Sequence, residues 1–247
     1  MHNVWTIARR ELAAIFVQPI AYIFAIVMVL ILGYLFATQL ANYALSSQFG
    51  AGPPPTLEPI LNTYTFLILL AGPAITMRLL AEEQRTGTME LLMTMPVTDG
   101  QVVLGKFLAA FIFYALVTAL TLIYPLVLLR FGNPDVGPML SGYLGVLLWG
   151  SAVLAIGIVA SALTDNQLVA YMIAFGMLLA LLLAALISTF YTTNPTVGTF
   201  FSEISFDSHL DNFLRGLITA TDAAYFLLIT AISLFAATRI LESRRWR

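Results

Sequence analysis

A chain of 247 residues, 60% of them hydrophobic and only 10% charged, with a mean hydropathy of +0.92, cannot cover its surface with polar groups in water. Composition therefore excludes an ordinary soluble domain and predicts an all-α polytopic membrane protein. A net charge of −2 supplies no field for nucleic acid, and the absence of cysteine removes disulfides, thiolate nucleophiles and sulfur-ligated metals together.

The chain opens with an amphipathic stretch over residues 2–19. Trp5, Ala8, Leu12, Ile15 and Phe16 recur at helical spacing, with Thr6, Arg9 and Arg10 elsewhere on the wheel. The pattern predicts a helix in the headgroup region, Trp5 anchoring and the arginines facing lipid phosphate; a soluble flank before the first span is the plainer alternative. Residues 20–40 form the first span, longer than the roughly 7–15 residues of a signal-peptide core. A loop over 42–59 follows, with Gly50, Gly52 and Pro53-Pro54-Pro55. The second span covers 60–80, with a kink expected at Gly72-Pro73. After a polar insert, the third span covers 102–129, long enough to tilt or to extend past the bilayer.

A turn over 130–138 leads to the fourth span, 139–163. Thr164-Asp165-Asn166-Gln167 turns the chain tightly into the fifth, 168–187. Residues 188–221 begin with threonines and Asn194-Pro195 and then become amphipathic. Phe201, Ile204, Leu210, Phe213, Leu214, Leu217 and Ile218 stand against Glu203, Asp207, Asp211 and Arg215. One or two short helices lying at the outer surface, or dipping into it, fit this pattern. Asp222 is placed to cap the sixth span, 223–240. The whole chain, 1–247, reads as one transmembrane domain with both termini on one side. Arg9, Arg10, Arg78, Arg85, Lys106, Arg239, Arg244, Arg245 and Arg247 fall on that side, against Arg130 and Arg215 opposite. The positive-inside rule then places both termini in the cytoplasm of a multi-pass protein of the inner (plasma) membrane.

Few residues offer chemistry. Gly100 to Lys106 matches the first seven positions of a phosphate-binding loop, but Phe107 stands where a hydroxyl should hold magnesium, and a span follows where the motif needs a preceding strand. Lys106 reads instead as a positive-inside anchor. His2 and His209 fall on opposite sides, so they cannot share a metal. His209 with Asp207 and Asp211 reads as a solvated loop face rather than a ligand set. The span centres carry essentially no charge, which argues against an ion-coupled carrier, unless hydroxyls such as Thr118, Thr121 and Tyr124 serve it with backbone carbonyls. Aromatics such as Tyr64, Phe111 and Tyr114 fit packing and interfacial belts better than a substrate path. No set of residues offers a nucleophile, base and stabiliser together, so catalysis is not expected on this chain, nor is a cofactor or metal.

The insert is the exception. Glu82, Glu83 and Arg85 end the second span. Thr86-Gly87-Thr88 breaks that helix, Gly87 taking a conformation closed to other residues. Thr88 caps a new short helix, about 88–95, that carries Met89, Glu90, Leu91, Leu92, Met93 and Met95. Pro96 ends it, and Asp99-Gly100 turns back into the third span. The methionines and leucines make a flexible apolar face suited to a partner's groove. Spacing alone fits an ordinary charged loop against lipid equally well.

The pattern Glu82-x-x-x-Thr86-Gly87-Thr88-x-Glu90-Leu91-Leu92-x-x-x-Pro96 resembles the segment after the second span in permeases of the type-2 ABC exporter family. There the small transverse helix is the coupling helix, which fits a cleft on a separate ATP-binding subunit. The family's six spans, cytoplasmic termini, N-terminal interfacial helix and short extracellular re-entrant helices all have counterparts here. The segments Ser208-His209-Leu210-Asp211-Asn212-Phe213, Arg215-Gly216 and Leu241-Glu242-Ser243-Arg244-Arg245-Trp246 look like the gliding-motility-associated branch, although copper- and nitrous-oxide-linked permeases share much of the pattern.

The resemblance implies a permease that has no ATPase of its own and pairs with a second copy or a paralogue. Its ATP-binding partner, holding ATP and magnesium, would dock on the insert, and an auxiliary gliding-type subunit is a further possible partner. Membrane lipid surrounds it, and the substrate is not legible. A non-transporting membrane scaffold for motility or envelope assembly is the alternative from another class, and an ion-coupled carrier is a third.

Overall fold

A computed structural model describes residues 2–47, 55–88, 97–131, 134–190 and 195–244. Every regular element among them is a helix: α1 (His2–Val17), α2 (Pro19–Ser47), α3 (Glu58–Arg85), α4 (Asp99–Leu120), α5 (Ile123–Phe131), α6 (Val136–Leu163), α7 (Gln167–Phe190), α8 (Pro195–Ile204), α9 (Phe206–Leu214) and α10 (Ala220–Arg244). Among the described residues, six stretches are long and apolar enough to cross a membrane: Ala21–Ser46, Glu58–Arg85, Asp99–Arg130, Val136–Leu163, Gln167–Ile187 and Ala220–Arg244.

Several boundaries differ from the sequence reading, each for a local reason. The first long helix runs on to Ser47, through residues expected to be loop, because no glycine or proline stands between Gly33 and Gly50. The third spanning stretch is two helices, α4 and α5, parted at Thr121 and Leu122. Pro125 has no N–H to give the carbonyl of Thr121, and that carbonyl instead accepts from the N–H of Tyr124 at 3.1 Å and from the hydroxyl of Tyr143 at 2.9 Å. Pro73 lies inside α3, which continues through it to Arg85. The segment 100–106 lies within α4, so its backbone is engaged in helical bonds and does not form a phosphate loop.

α6 sits at the centre, packed by α3, α10, α7, α9 and α4. Its sequence explains why. Gly142, Gly145, Gly150, Ser151, Ala152, Ala155, Gly157, Ala160, Ser161 and Ala162 leave almost no side-chain bulk, so neighbouring helices approach its backbone closely. At Gly145, a Cβ would lie 2.5 Å from Cβ of Phe213. Hydroxyls supply the polar contacts between spans. Tyr64 and Thr118 hydroxyls lie 2.7 Å apart, Tyr114 donates to the carbonyl of Val146 at 2.7 Å, and Ser151 and Thr230 meet at 3.1 Å.

α1 lies along α4 and buries Ile7, Ala8 and Ile15. Trp5, expected on the apolar face, is 58% exposed. Ile7 packs so closely on α4 that a Cβ at Gly105 would come within 2.7 Å of it.

At the opposite end of the bundle, α8 and α9 fill the segment between α7 and α10. Two expectations there are corrected. Asp222 does not cap the last span: the Thr219 hydroxyl takes that role, accepting from the Asp222 N–H at 3.1 Å, and Asp222 lies inside the first turn of α10. His209 is not on a solvated face. Its ring is buried between α8, α9 and α10, because α9 turns its Phe206, His209, Leu210, Phe213 and Leu214 face inward against α6 and α10.

Candidate functional site

The described part of the insert is its base. α3 ends at Arg85, and the threonines that follow satisfy its last carbonyls. The carbonyl of Glu82 accepts from the N–H of Thr86 at 3.0 Å and from the Thr86 hydroxyl at 2.9 Å. The Thr88 hydroxyl donates to the carbonyl of Glu83 at 3.4 Å and lies 3.0 Å from that of Thr86. Gly87 has φ +71°, the left-handed conformation that ends helices cheaply only in glycine. Glu82 is held by Arg85 at 2.7 Å on the exposed face. Met89, Glu90, Leu91, Leu92 and Pro96, with the short helix expected over 88–95, lie outside the described residues beyond Thr88.

Glu83 points the other way, into the protein. Its carboxylate lies 2.8 Å from the ammonium of Lys106, which is 1% exposed and lies 3.3 Å from Glu11 as well. Arg10, more than half exposed, closes the group at 2.8 Å from Glu11 and 3.7 Å from Glu83. Hydrogen bonding to Glu11, opposed in part by burial, pushes the Arg10 guanidinium above its ordinary value, so its charge is fixed. Two cations and two carboxylates from α1, α3 and α4 thus form a quartet of balanced formal charge in which each cation faces a carboxylate. Lys106, read from the sequence as a positive-inside anchor, has its methylene stem and head enclosed where α1 and α3 converge on α4. One Glu83 oxygen, Oε2, is buried without a partner among the described residues.

The other flank of α3 is tied to α6 and α10. The Ser161 hydroxyl accepts from the N–H groups of both Leu80 and Ala81 at 3.0 Å and donates to the carbonyl of Met77 at 2.8 Å. Gln84 donates to the carbonyl of Ala162 at 3.2 Å. Arg244, in the last turn of α10, donates to Gln84 at 2.9 Å and to the carbonyl of Leu163 at 2.6 Å. One cation thereby satisfies an orphan carbonyl at the end of α6 and grips the base of the insert.

The insert thus rises from a helix end braced by α1, α4, α6 and α10 together. Sequence reading found the insert and missed the brace: Glu11, Gln84, Ser161 and the role of Arg244. One signal was available, since Lys106 is the only lysine in the chain and sits well inside an apolar run. The hydroxyls that an ion-coupled carrier would use are engaged elsewhere. Thr118 bonds Tyr64 and the carbonyl of Tyr114, Thr121 bonds Tyr143 and the carbonyl of Thr118, and Tyr124 bonds the carbonyl of Val29.

Comparison with known proteins bears on this arrangement. Residues 38–241 match the model of the ABC-2 family transporter protein. The chain is 33% identical over 123 residues to the probable ABC transporter permease protein NosY of Pseudomonas aeruginosa, covering 48% of this chain and 42% of that protein. It is 30% identical over 157 residues to the protein of the same description from Stutzerimonas stutzeri, covering 60% of this chain and 51% of that one. The matched part spans about half the length of these curated relatives.

Proposed function

The chain belongs to the ABC-2 transporter family, and from that premise we propose that it is the membrane-spanning permease subunit of an ATP-driven exporter. ATP and magnesium belong to a separate subunit that docks on the insert, residues 88–95, at the cytoplasmic face of the inner membrane. Two six-span copies, or this chain and a paralogue, enclose the path between them.

The observation that carries this reading is the fourfold brace around the last turns of α3. A loop that merely joins two spans needs no such fixing. A handle that must tilt the spans does, because force delivered to a loose segment is absorbed locally rather than passed on as rigid-body motion. The relatives' description as ABC transporter permeases supports the same reading. Engagement of Thr118, Thr121 and Tyr124 in helix-to-helix contacts favours an external energy source over a coupled ion. Assignment to the gliding-motility branch, with its auxiliary subunit, rests on the Ser208–Phe213 and Leu241–Trp246 segments alone and is the finest part of the proposal.

The test is reconstitution of the chain with its ATP-binding subunit in lipid discs. Glu90→Arg places a cation on the docking face while leaving the braced base untouched. The expected result is a folded permease that no longer stimulates ATP hydrolysis by its partner. Stimulation equal to that of the unaltered chain would overturn the docking assignment.

A further inference from the structure

The starts of α3 and α6 and the end of α9 meet at the end of the bundle opposite the insert, where they enclose a cavity of about 360 Å³. That volume falls within the range of small-molecule sites, roughly 300–1,000 Å³. Its floor is apolar and buried: Leu57 just ahead of α3, Met139 in the first turn of α6 and Leu214 at the last position of α9. Its walls include Pro55, Pro134 and Pro138, whose rings fix the backbone and leave no N–H to offer. Both sides of the cavity are tied down. The carbonyl of Thr56 accepts from the Gln39 amide of α2 at 3.0 Å. Gly216, at φ +93°, turns the chain after α9 so closely over Pro138 that a Cβ there would lie 3.1 Å from the proline ring.

Two exposed carboxylates line the same cavity, Glu58 in the first turn of α3 and Asp135 at the N-cap of α6. Asp135 gives Oδ1 to the N–H of Gly137 at 3.0 Å. Glu58 has no hydrogen-bond partner, and neither carboxylate has an ion-pair partner, among the described residues. Both stand at helix N-termini, each of which offsets roughly half an elementary charge. Two full charges against two halves leave about one negative charge at the cavity, and the C-terminal end of α9 adds to it in the same sense. The elements that form the lining supply no cation to remove it. α6 and α9 contain no Lys or Arg, and α3 has none before Arg78. His209 of α9 is turned to Asp222, and Arg215, just past α9, is held by Asp211 at 2.8 Å.

A divalent metal does not suit this lining. Such an ion takes about six or more oxygens, and among the described residues no three Asp, Glu or His side chains come together. A buried apolar floor calls instead for an apolar body to cover it. We propose that the cavity is a binding site for a small organic monocation, an ammonium or guanidinium group carried on an apolar body. The charged head meets Glu58 and the second oxygen of Asp135, and the apolar body displaces water from Leu57, Met139 and Leu214. The site lies at the far end of the spans from the insert and stands whether or not an ATP-binding subunit docks there.

The test uses the full chain in lipid discs with 13C-labelled methionine methyls, the Met139 signal being identified by its loss in Met139→Leu. The probe is cyclohexylammonium, with cyclohexanol as the uncharged body of the same shape. Cyclohexylammonium is expected to shift the Met139 methyl saturably. Glu58→Gln combined with Asp135→Asn is expected to weaken that binding at least about tenfold, as for loss of one charged hydrogen bond. Asp135→Asn retains the oxygen that accepts from Gly137, so α6 keeps its cap, and without the probe the methionine spectrum is expected to match that of the unaltered chain. Cyclohexanol is expected to bind the unaltered chain at least about tenfold more weakly than its charged counterpart. Equal affinity for cyclohexanol, undiminished affinity in the double variant, no shift at Met139, or a shift that rises without saturation together with the other methionine methyls would overturn the proposal.

Discussion

At the scale of single residues, the account turns on charge balance at Lys106. An ammonium at 1% exposure is tolerated because Glu83 and Glu11 lie within 3.3 Å, with Arg10 restoring neutrality. Glu83→Ala removes one carboxylate and leaves net positive charge enclosed; it is expected to destabilise the chain by about 3–5 kcal/mol in equilibrium unfolding from mixed micelles. Adding Lys106→Met to that variant removes the stranded charge and is expected to recover most of the loss, whereas simple additivity of the two substitutions would contradict the pairing. Gly87→Ala is a smaller probe: its backbone at φ +71° costs a side-chain-bearing residue about 1–2 kcal/mol, with no clash to add from any of the described residues. The sequence made Gly87 legible, since a glycine between two threonines after a charged helix end has few other uses. It left the quartet hidden, because the four side chains come from three helices and only the fold brings them together.

At the scale of elements, the long apolar runs declared the spans, and amphipathic spacing declared α1, α8 and α9. Their ranking was not legible. Six apolar runs look alike by hydropathy, yet α6 is the central one and α2, α7 and α10 are peripheral. The sign in the sequence was the run of small residues in α6, whose value lies in what packs against it. Gly145→Leu is expected to displace Phe213 and lift α9, at about 1–3 kcal/mol, with faster amide exchange confined to 195–222. Exchange that spread instead to α1 and the start of α4 would show that α6 does not hold the outer pair separately. Ser161→Ala tests the other end of the same helix. Two N–H groups of α3 lose a side-chain acceptor and the carbonyl of Met77 loses a donor, and a cost of about 1–3 kcal/mol is expected, with faster exchange at Leu80 and Ala81. The break between α4 and α5 was readable in principle from Pro125, but a proline three residues beyond the turn at Thr121 and Leu122 is easily absorbed into a continuous apolar run.

At the scale of the whole molecule, buried charge among the described residues is confined to the two ends of the bundle, and hydroxyls hold the middle. α10 joins the ends. Its first turn carries Asp222, bonded to α9, and its last turn carries Arg244, bonded to Gln84 at the base of the insert. A helix of 25 residues is a rod of about 37 Å, so displacement at one clamp reaches the other without an intermediary. That geometry suits a permease moved from one side, and it makes the docking of an engine on the insert the central claim. The chain has no cysteine and one lysine, so a single photoreactive side chain at position 92 can be introduced without background chemistry. In native membranes containing the assembled complex, illumination is expected to join position 92 to the ATP-binding subunit. Capture of lipid alone, or labelling of that position by a reagent confined to the outside of the cell, would contradict the account.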